Sequence, residues 1–587
     1  MTRAYKRQLA FLFFIAAVVL LAGIGMRGPW PADEPRYALI ARDMVDSGSW
    51  LIPHVGGVFY PDKPPVFFWT MAVLYALTGS IRVAFLLPGV LAGFGVLCLV
   101  TDLARRLWDE RAAIWSGATL LALLQFPLQM KAGQIDALLC FWTTLGIYGF
   151  CRHLLLGPDW RWYTIGGLAC GLGVITKGVG FLPLLMLIPY AIASRRAWRT
   201  TGGRWRNPRW WLAPAAMLAG IAVWLVPMLL ASIGSTDADL LAYRDNILFR
   251  QTITRYADSW GHLRPPWYLF TNAIPWLWLP VTLLLPWLIP AWRRDLGERK
   301  TEILLLGGWI LLVLLFFSLS SGKRSLYIFP AAPAVALIAG LHASALLERV
   351  GPRRALFGLS LTLGVIFVLA AGYLLRTDPA IAAHYVVDPV MLARAPWFIL
   401  AIGAIILVAV ATTRVQRAPL GVAVTLAVVW VGISTTIYPA IDTVRSGKVI
   451  IDNVRQVLPK NTSLGFAGWT EQFLLHWNAP AVHFGYRRTD AVAESRDAAN
   501  WLSRSLNREV LLPNTMIEPC FNPERLVSVG EAHRREWFLA DKGAVTDACS
   551  SIAEPIGEIV FYHPSQPDTQ QISRSSTGIY GRVRVFE

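Results

Sequence analysis

Charge is what this 587-residue chain has little of: Asp, Glu, Lys and Arg together make up 16% of it, against 55% hydrophobic residues. That balance excludes an ordinary soluble globule. Cysteine is scarce as well, and none of the six stands in a metal-ligand spacing. Cys98, Cys140, Cys151 and Cys170 fall in hydrophobic runs and read as inert packing, while Cys520 and Cys549 fall in a polar tail. A disulfide between those two is open to the chain if the tail is extracytoplasmic. No P-loop or Rossmann glycine pattern occurs, so no nucleotide site is indicated. Internal repeats and low-complexity stretches are also missing. No small-x-small cleavage site follows the first apolar run, which therefore reads as an uncleaved signal anchor.

What the chain has instead is long apolar runs with arginine between them. Lys and Arg outnumber Asp and Glu by 54 to 37, a formal net charge of +17. A nucleic-acid partner would explain such basicity, but its distribution is that of cytoplasmic loops in a membrane protein. Thirteen runs approach the length needed to cross roughly 30 Å of hydrocarbon. They lie near 9–26, 81–104, 112–130, 134–155, 162–176, 179–194, 211–232, 266–291, 303–320, 325–347, 355–375, 397–413 and 419–438. With the N-terminus in the cytoplasm, alternation puts Arg105 and Arg106, Arg152 and Arg161, SRRAWRTTGGRWRNPRWW, AWRRDLGERK, ERVGPRR and TTRVQR all inside. That is the positive-inside rule, and an error of one span would invert it. The predicted fold is a multi-pass α-helical membrane protein over 1–440, with an outer amphipathic loop at 27–80 and a small soluble α/β domain over 441–587. In that tail VRSGKVIIDNVRQVLP has a helical apolar repeat, TSLGFAG and REVLLP read as strands, and the segment ending at 540 as one further strand. No catalytic motif stands out there.

The same alternation gathers the unexplained polar residues on the outer face: Asp33, Glu34, Arg36, Asp62, Lys63, Asp136, Arg250, Arg255, His262, Arg264, Lys323, Arg324 and Tyr327. For any one of them, simple solvation of an outer loop is an equal explanation. Two features set the group apart. Lys131 and Asp136 flank a link too short to project into water, and Lys63 precedes Pro64-Pro65, which restricts where its ammonium points. Lys177, in another short outer link, is a further candidate. WRWY at 160–163 and WLWLP at 276–280 read as interfacial belts, and His153, His342 and His384 as incidental. Carboxylates beside Lys and Arg suit proton transfer next to a bound phosphate. Outside the cytoplasm that phosphate belongs to a lipid carrier more naturally than to a nucleotide.

At these residues the chain resembles the bacterial glycosyltransferases that use polyprenyl-phosphate-linked sugars. They include the 4-amino-4-deoxy-L-arabinose lipid A transferases and, more distantly, the protein O-mannosyltransferases. The likeness is carried by DEPRYA, SGSWLIPHVGG and YPDKPPVFFW in the first outer loop, QID at 134–136, GHLRPPWYL at 261–269 and SGKRSLYIFPAAP at 321–333. The resemblance implies a GT-C type enzyme with about 13 transmembrane helices. It would work on the periplasmic face of the inner membrane with an undecaprenyl-phosphate-linked sugar as donor and lipid A or another glycolipid as acceptor. It implies Asp33 as the catalytic carboxylate and Asp136 as a second acidic residue near the acceptor. Lys63, Tyr327 and an arginine, Arg250 or Arg264, would hold the donor phosphate, with Glu34, Arg36 and Lys323 as further site residues. Asp62 and His262 match positions associated with a divalent metal, and zinc accepts such a pair. The loop around Arg250 departs from the arabinose-transferase form, and Asp62 stands where relatives often carry glutamate.

The mechanism expected is one in-line displacement at the anomeric carbon, with inversion. Lys63 and an arginine would stabilise the leaving phosphate, and Asp33 would orient or deprotonate the acceptor. If the acceptor is a lipid A phosphate, Asp33 would instead pair with a sugar amine. A sibling enzyme moving another sugar to a glycolipid, polysaccharide or protein stays open. A flippase for a polyprenyl-linked lipid is the rival from another class. It should carry polar residues at mid-depth and matched broken helices, whereas the charges here collect at one face. A purely structural membrane protein is the remaining reading.

Overall fold

Long apolar helices, shorter helices between them and a C-terminal sheet make up the computed structural model. It describes residues 1–587 except 197, 199, 204, 250–262, 378–388, 487, 551–554, 565–571 and 574–587. Arg250, Arg255, His262 and His384 lie outside the described residues. All thirteen predicted runs are helical. Among the described residues nine helices are long and apolar enough to cross a membrane, and a bent pair would make a tenth. Of the other three expected spans, one is broken, one is the short Leu182–Arg195, and the third, Trp160–Lys177, is unbroken but less apolar. The run at 112–130 divides into Glu110–Ala122 and Gln125–Met130. Pro127 lacks an amide donor and is tolerated in a first turn, so the helix restarts just before it. The bent pair is Leu269–Leu277 with Val281–Gly297, which meet at 104° around Pro280.

Helix Trp160–Lys177 lies against Leu212–Ser232 through Gly167 and Gly171. A Cβ on Gly167 would stand 2.2 Å from the Ala213 carbonyl oxygen, and one on Gly171 2.2 Å from that of Met217. Only glycine lets two membrane helices approach this closely. The contact fixes where the helix delivers Lys177, its last residue.

The outer loop folds into three pieces. Helix α1 (Arg3–Leu21) is followed by α2 (Glu34–Ser47), which has proline in its first turn and ends on Gly48 at φ 70°. A hairpin pairs β1 (His54–Val55) with β2 (Val58–Phe59), and helix α3 (Val66–Thr78) follows. Gly56 and Gly57, at φ 58° and 91°, make the two-residue turn that the hairpin requires. Most of α2 is buried, because α3 and the tail enclose it. Tyr37, Leu39, Ile40, Phe67 and Phe68 share one apolar core with Ile450, Phe473, Trp537 and Tyr562.

The tail has helix Lys448–Val457 and a seven-stranded sheet. Strands β3 (Ser463–Phe466), β4 (Ala481–His483) and β5 (Arg508–Pro513) form its parallel centre, with β3 in the middle. Strands β6 (Val527–Ala532), β7 (Arg535–Ala540), β8 (Ile559–Tyr562) and β9 (Ile572–Ser573) run antiparallel at the edges, in the order β6-β7-β5-β3-β4-β8-β9. The segment expected as a single strand is therefore a hairpin, turning at His533 and Arg534 with both φ positive. Cys520 and Cys549 are joined in a disulfide.

Candidate active site

Two acid–base clusters form at the end of the bundle where α2 begins. The first is built on Asp33, which stands just before the first turn of α2 and keeps its side chain off the helix amides. Its Oδ1 accepts from Arg36 at 3.3 Å, and Arg324 reaches Oδ2 at 3.7 Å from the link before Ser325. The second joins Asp136, in the first turn of helix Ile135–Leu156, to Lys177. The Lys177 ammonium also lies 5.2 Å from the centre of the Tyr327 ring. Tyr37 lies between the two clusters. Burial, with Tyr60, Asp33 and Asp136 adding negative charge, pushes its phenol well above the usual value.

Glu34 has a different task from Asp33. Its carboxylate is buried and accepts from both Arg27 terminal nitrogens at 2.5 and 2.8 Å, from the Trp30 amide at 2.9 Å and from the Gly133 amide at 2.9 Å. One side chain thus ties the start of α2 to the short link that leads into Asp136. Lys131, in that link, donates to the carbonyls of Val19 and Ala22 at 2.7 and 2.6 Å and closes the C-terminal end of α1. Burial, with Arg27 beside it, lowers its ammonium to about 8. Asp442 completes the frame, accepting from the Gly28 amide, the Trp30 indole and Arg82 at 2.8, 2.8 and 2.9 Å.

The tail closes the other side. Arg42 of α2 donates to the Leu475 and Leu474 carbonyls, each at 2.9 Å, and to the Tyr562 hydroxyl at 3.1 Å. Asp43 accepts from the Gly56 amide at 2.8 Å and from Tyr562. Burial raises its carboxyl to about 7, against the opposing pull of Arg42. His483 at the end of β4 contacts the Gly56 carbonyl at 2.8 Å. Arg36 donates through Nε to Glu471 at 2.6 Å. Burial works against its charge, yet Glu471, with Tyr486 and Tyr60 beyond, holds the guanidinium well above its usual value.

Of the residues singled out from sequence, Asp33, Arg36 and Arg324 come together, as do Asp136, Lys177 and Tyr327. Lys323 is buried and donates to the Arg264 and Ser320 carbonyls, so it fastens the 263–264 segment to the 320–324 link. Arg264 is exposed and packs on Tyr268, 5.5 Å from guanidinium carbon to ring centre. Asp62 and Lys63 occupy the half-buried turn between β2 and α3. Arg250 and His262 lie outside the described residues. Among the described residues no group of three or more His, Cys, Asp or Glu side chains is placed to hold a metal. Arg27 and Glu471 were not anticipated. Arg27 reads as the polar edge of a span, and nothing local marks Glu471 as a neighbour of Arg36, 435 positions earlier.

Comparison with known proteins bears on the same region. The family model for dolichyl-phosphate-mannose-protein mannosyltransferases matches residues 62–226. The chain is 32% identical over 395 residues to the undecaprenyl phosphate-alpha-4-amino-4-deoxy-L-arabinose arabinosyl transferase of Pseudomonas aeruginosa, covering 64% of this chain and 67% of that one. It is 31% identical over 411 residues to arabinosyl transferase 1 of Pseudomonas fluorescens, covering 66% and 68%. Its fold matches the crystal structure of ArnT from Cupriavidus metallidurans bound to undecaprenyl phosphate. The TM-score is 0.72 at 22% identity, over 90% of this chain and 97% of that one. The oligosaccharyltransferase of Archaeoglobus fulgidus gives a TM-score of 0.50 at 13% identity, over 86% and 69%.

Proposed function

Because the chain belongs to the family of undecaprenyl phosphate-α-4-amino-4-deoxy-L-arabinose arabinosyl transferases, we propose that it moves 4-amino-4-deoxy-L-arabinose from undecaprenyl phosphate to a phosphate of lipid A. The reaction takes place on the periplasmic face of the inner membrane. The observation that carries this reading is the pairing of two carboxylates, Asp33 and Asp136, with separate cations at one end of the helix bundle. The arginine-rich loops lie at the opposite ends of the same helices, and the Cys520–Cys549 disulfide suits an oxidising compartment.

An acceptor phosphate oxygen forms a bond to the anomeric carbon while the bond to the undecaprenyl phosphate oxygen breaks, with inversion. The leaving phosphate takes the electron pair, and Lys63, Tyr327 and an arginine, Arg250 or Arg264, stabilise its charge. A phosphate acceptor is largely ionised at neutral pH, so no base is needed to remove a proton. Asp33 then holds the ammonium of the sugar, and Asp136, steadied by Lys177, faces the acceptor. Asp62 and His262 are the pair that would hold a divalent ion, and zinc accepts a carboxylate and an imidazole. When bound, such an ion would supply a fixed positive charge, and no chemical step runs through it.

Mass spectrometry of lipid A from cells with and without the protein tests the reading. The lipid A species heavier by one aminopentose should depend on the protein, and its abundance should fall about 100-fold with Asp33→Asn, which no longer holds the sugar ammonium in place. A change confined to other glycans, with lipid A unaltered, would assign the enzyme to a sibling activity.

A further inference from the structure

Among the described residues of the tail, Glu471 is the carboxylate bound to the guanidinium that also reaches Asp33. Glu471 opens the helix Glu471–His476, directly after the loop that leaves β3. It accepts from Arg36 Nε at 2.6 Å, while Nη1 of the same guanidinium donates to Asp33 at 3.3 Å and Nη2 to the Ala32 carbonyl at 3.3 Å. The side chains of Arg36 and Glu471 are each 11% exposed. A guanidinium presents its donors in a rigid fork, so the partner that binds it more closely decides where the fork lies. Here that partner is Glu471. Without it Asp33 would be the carboxylate nearest to hand, and Arg36 could grip it with two nitrogens, as Arg27 grips Glu34.

Resting on the transferase reading, we infer that Glu471 is a positioning residue of the reaction, holding Arg36 partly away from Asp33 so that the Asp33 carboxylate stays open to substrate. The charges around Asp33 fit this assignment. Arg36 faces it from α2 and Arg324 from the 320–324 link, with Glu471 the opposing charge from the tail. Asp136, from helix Ile135–Leu156, is already matched by Lys177. The phenols of Tyr37, Tyr60 and Tyr486 complete the surroundings. Removing Glu471 leaves two cations against a single carboxylate. Asp33 then ionises more readily and binds a substrate cation less well.

The test is kcat against pH for full-length protein in liposomes, with the lipid-linked aminoarabinose as donor and lipid A as acceptor. A carboxylate binds a substrate cation only when ionised, so the acid limb of that profile reads the balance of charge at the site. Glu471→Gln should move the acid limb down by about one pH unit and lower the plateau about tenfold. Glu471→Asp should restore the limb. Arg36→Gln should move it up, and adding Glu471→Gln to that variant should shift it no further. A Glu471→Gln limb that coincides with the wild type's, at whatever plateau, overturns the inference. A merely structural glutamate would change the amount of active enzyme and not its pH dependence. Should Glu471→Gln fail to fold, Arg36→Gln carries the test alone, and an acid limb that stays or falls overturns the inference. Wild-type protein that transfers no sugar overturns the transferase reading and this inference with it. Transfer with an unmoved limb overturns only the role of Glu471.

Discussion

Glu34 accepts from Arg27, from the Trp30 amide and from the Gly133 amide at once, which leaves its carboxylate no capacity for chemistry. Among the described residues, the carboxylate of its neighbour Asp33 has longer contacts, at 3.3 and 3.7 Å. Adjacent acids are therefore held differently, one locked into the frame and the other left with capacity for a further partner, which fits the proposed role of Asp33. Glu34→Ala should leave Arg27 buried without its partner, at a cost of about 3–5 kcal/mol. It should also let the α2 start drift from the 131–134 link, slowing transfer about 100-fold for a displacement near 1 Å. Glu34→Gln keeps two acceptor bonds and should retain far more activity than the alanine variant. Thermal unfolding and transfer rate, measured together, check this. Equal loss in both variants would mean that the Glu34 charge itself takes part. From the residues alone Asp33, Glu34 and Arg36 form one polar group, and only the family resemblance set Asp33 apart, because polar neighbours within four positions carry no record of which direction each one points.

Elements were legible in proportion to how local their causes are. Each of the thirteen apolar runs is helical, since a bilayer-length run needs no partner to declare itself. The breaks at 123–124 and 278–280 were not foreseen, although Pro127 and Pro280 mark both places. The β6–β7 hairpin was missed for a comparable reason. His533 and Arg534 take positive φ, where turn signals would call for Asn or Gly. The disulfide could only be conditional from sequence, because pairing depends on the fold that sets residues 520–522 against 544–546. It closes a loop across a separation of 29 residues. Replacing Cys520 and Cys549 with serine should therefore lower the stability of the tail by about 3 kcal/mol. Limited proteolysis of membranes should show faster cleavage within 463–562 and unchanged protection of the helix bundle. Equal sensitivity of bundle and tail would mean that the two unfold as one unit.

At the scale of the whole molecule, the placement of charge decides which donors are within reach. The Arg-rich loops and the Asp33–Asp136 end lie at opposite ends of the helices, and the tail packs on the acidic end through Arg42, Asp43 and Tyr562. The tail and the site must therefore share a side of the membrane. Composition could not reveal that the two form one apolar core, since residues as far apart in the chain as Tyr37 and Trp537 join the same cluster only once it has folded. The orientation is testable with a membrane-impermeant maleimide on cells whose outer membrane has been opened. In a background lacking Cys98, Leu506→Cys, 81% exposed in the tail, should react at once. Gly297→Cys, exposed in the AWRRDLGERK loop, should react only after the inner membrane is broken. The reverse pattern would place Asp33 and Asp136 in the cytoplasm. Sugar nucleotides are available there, and the argument for a lipid-linked donor would lose its physical basis.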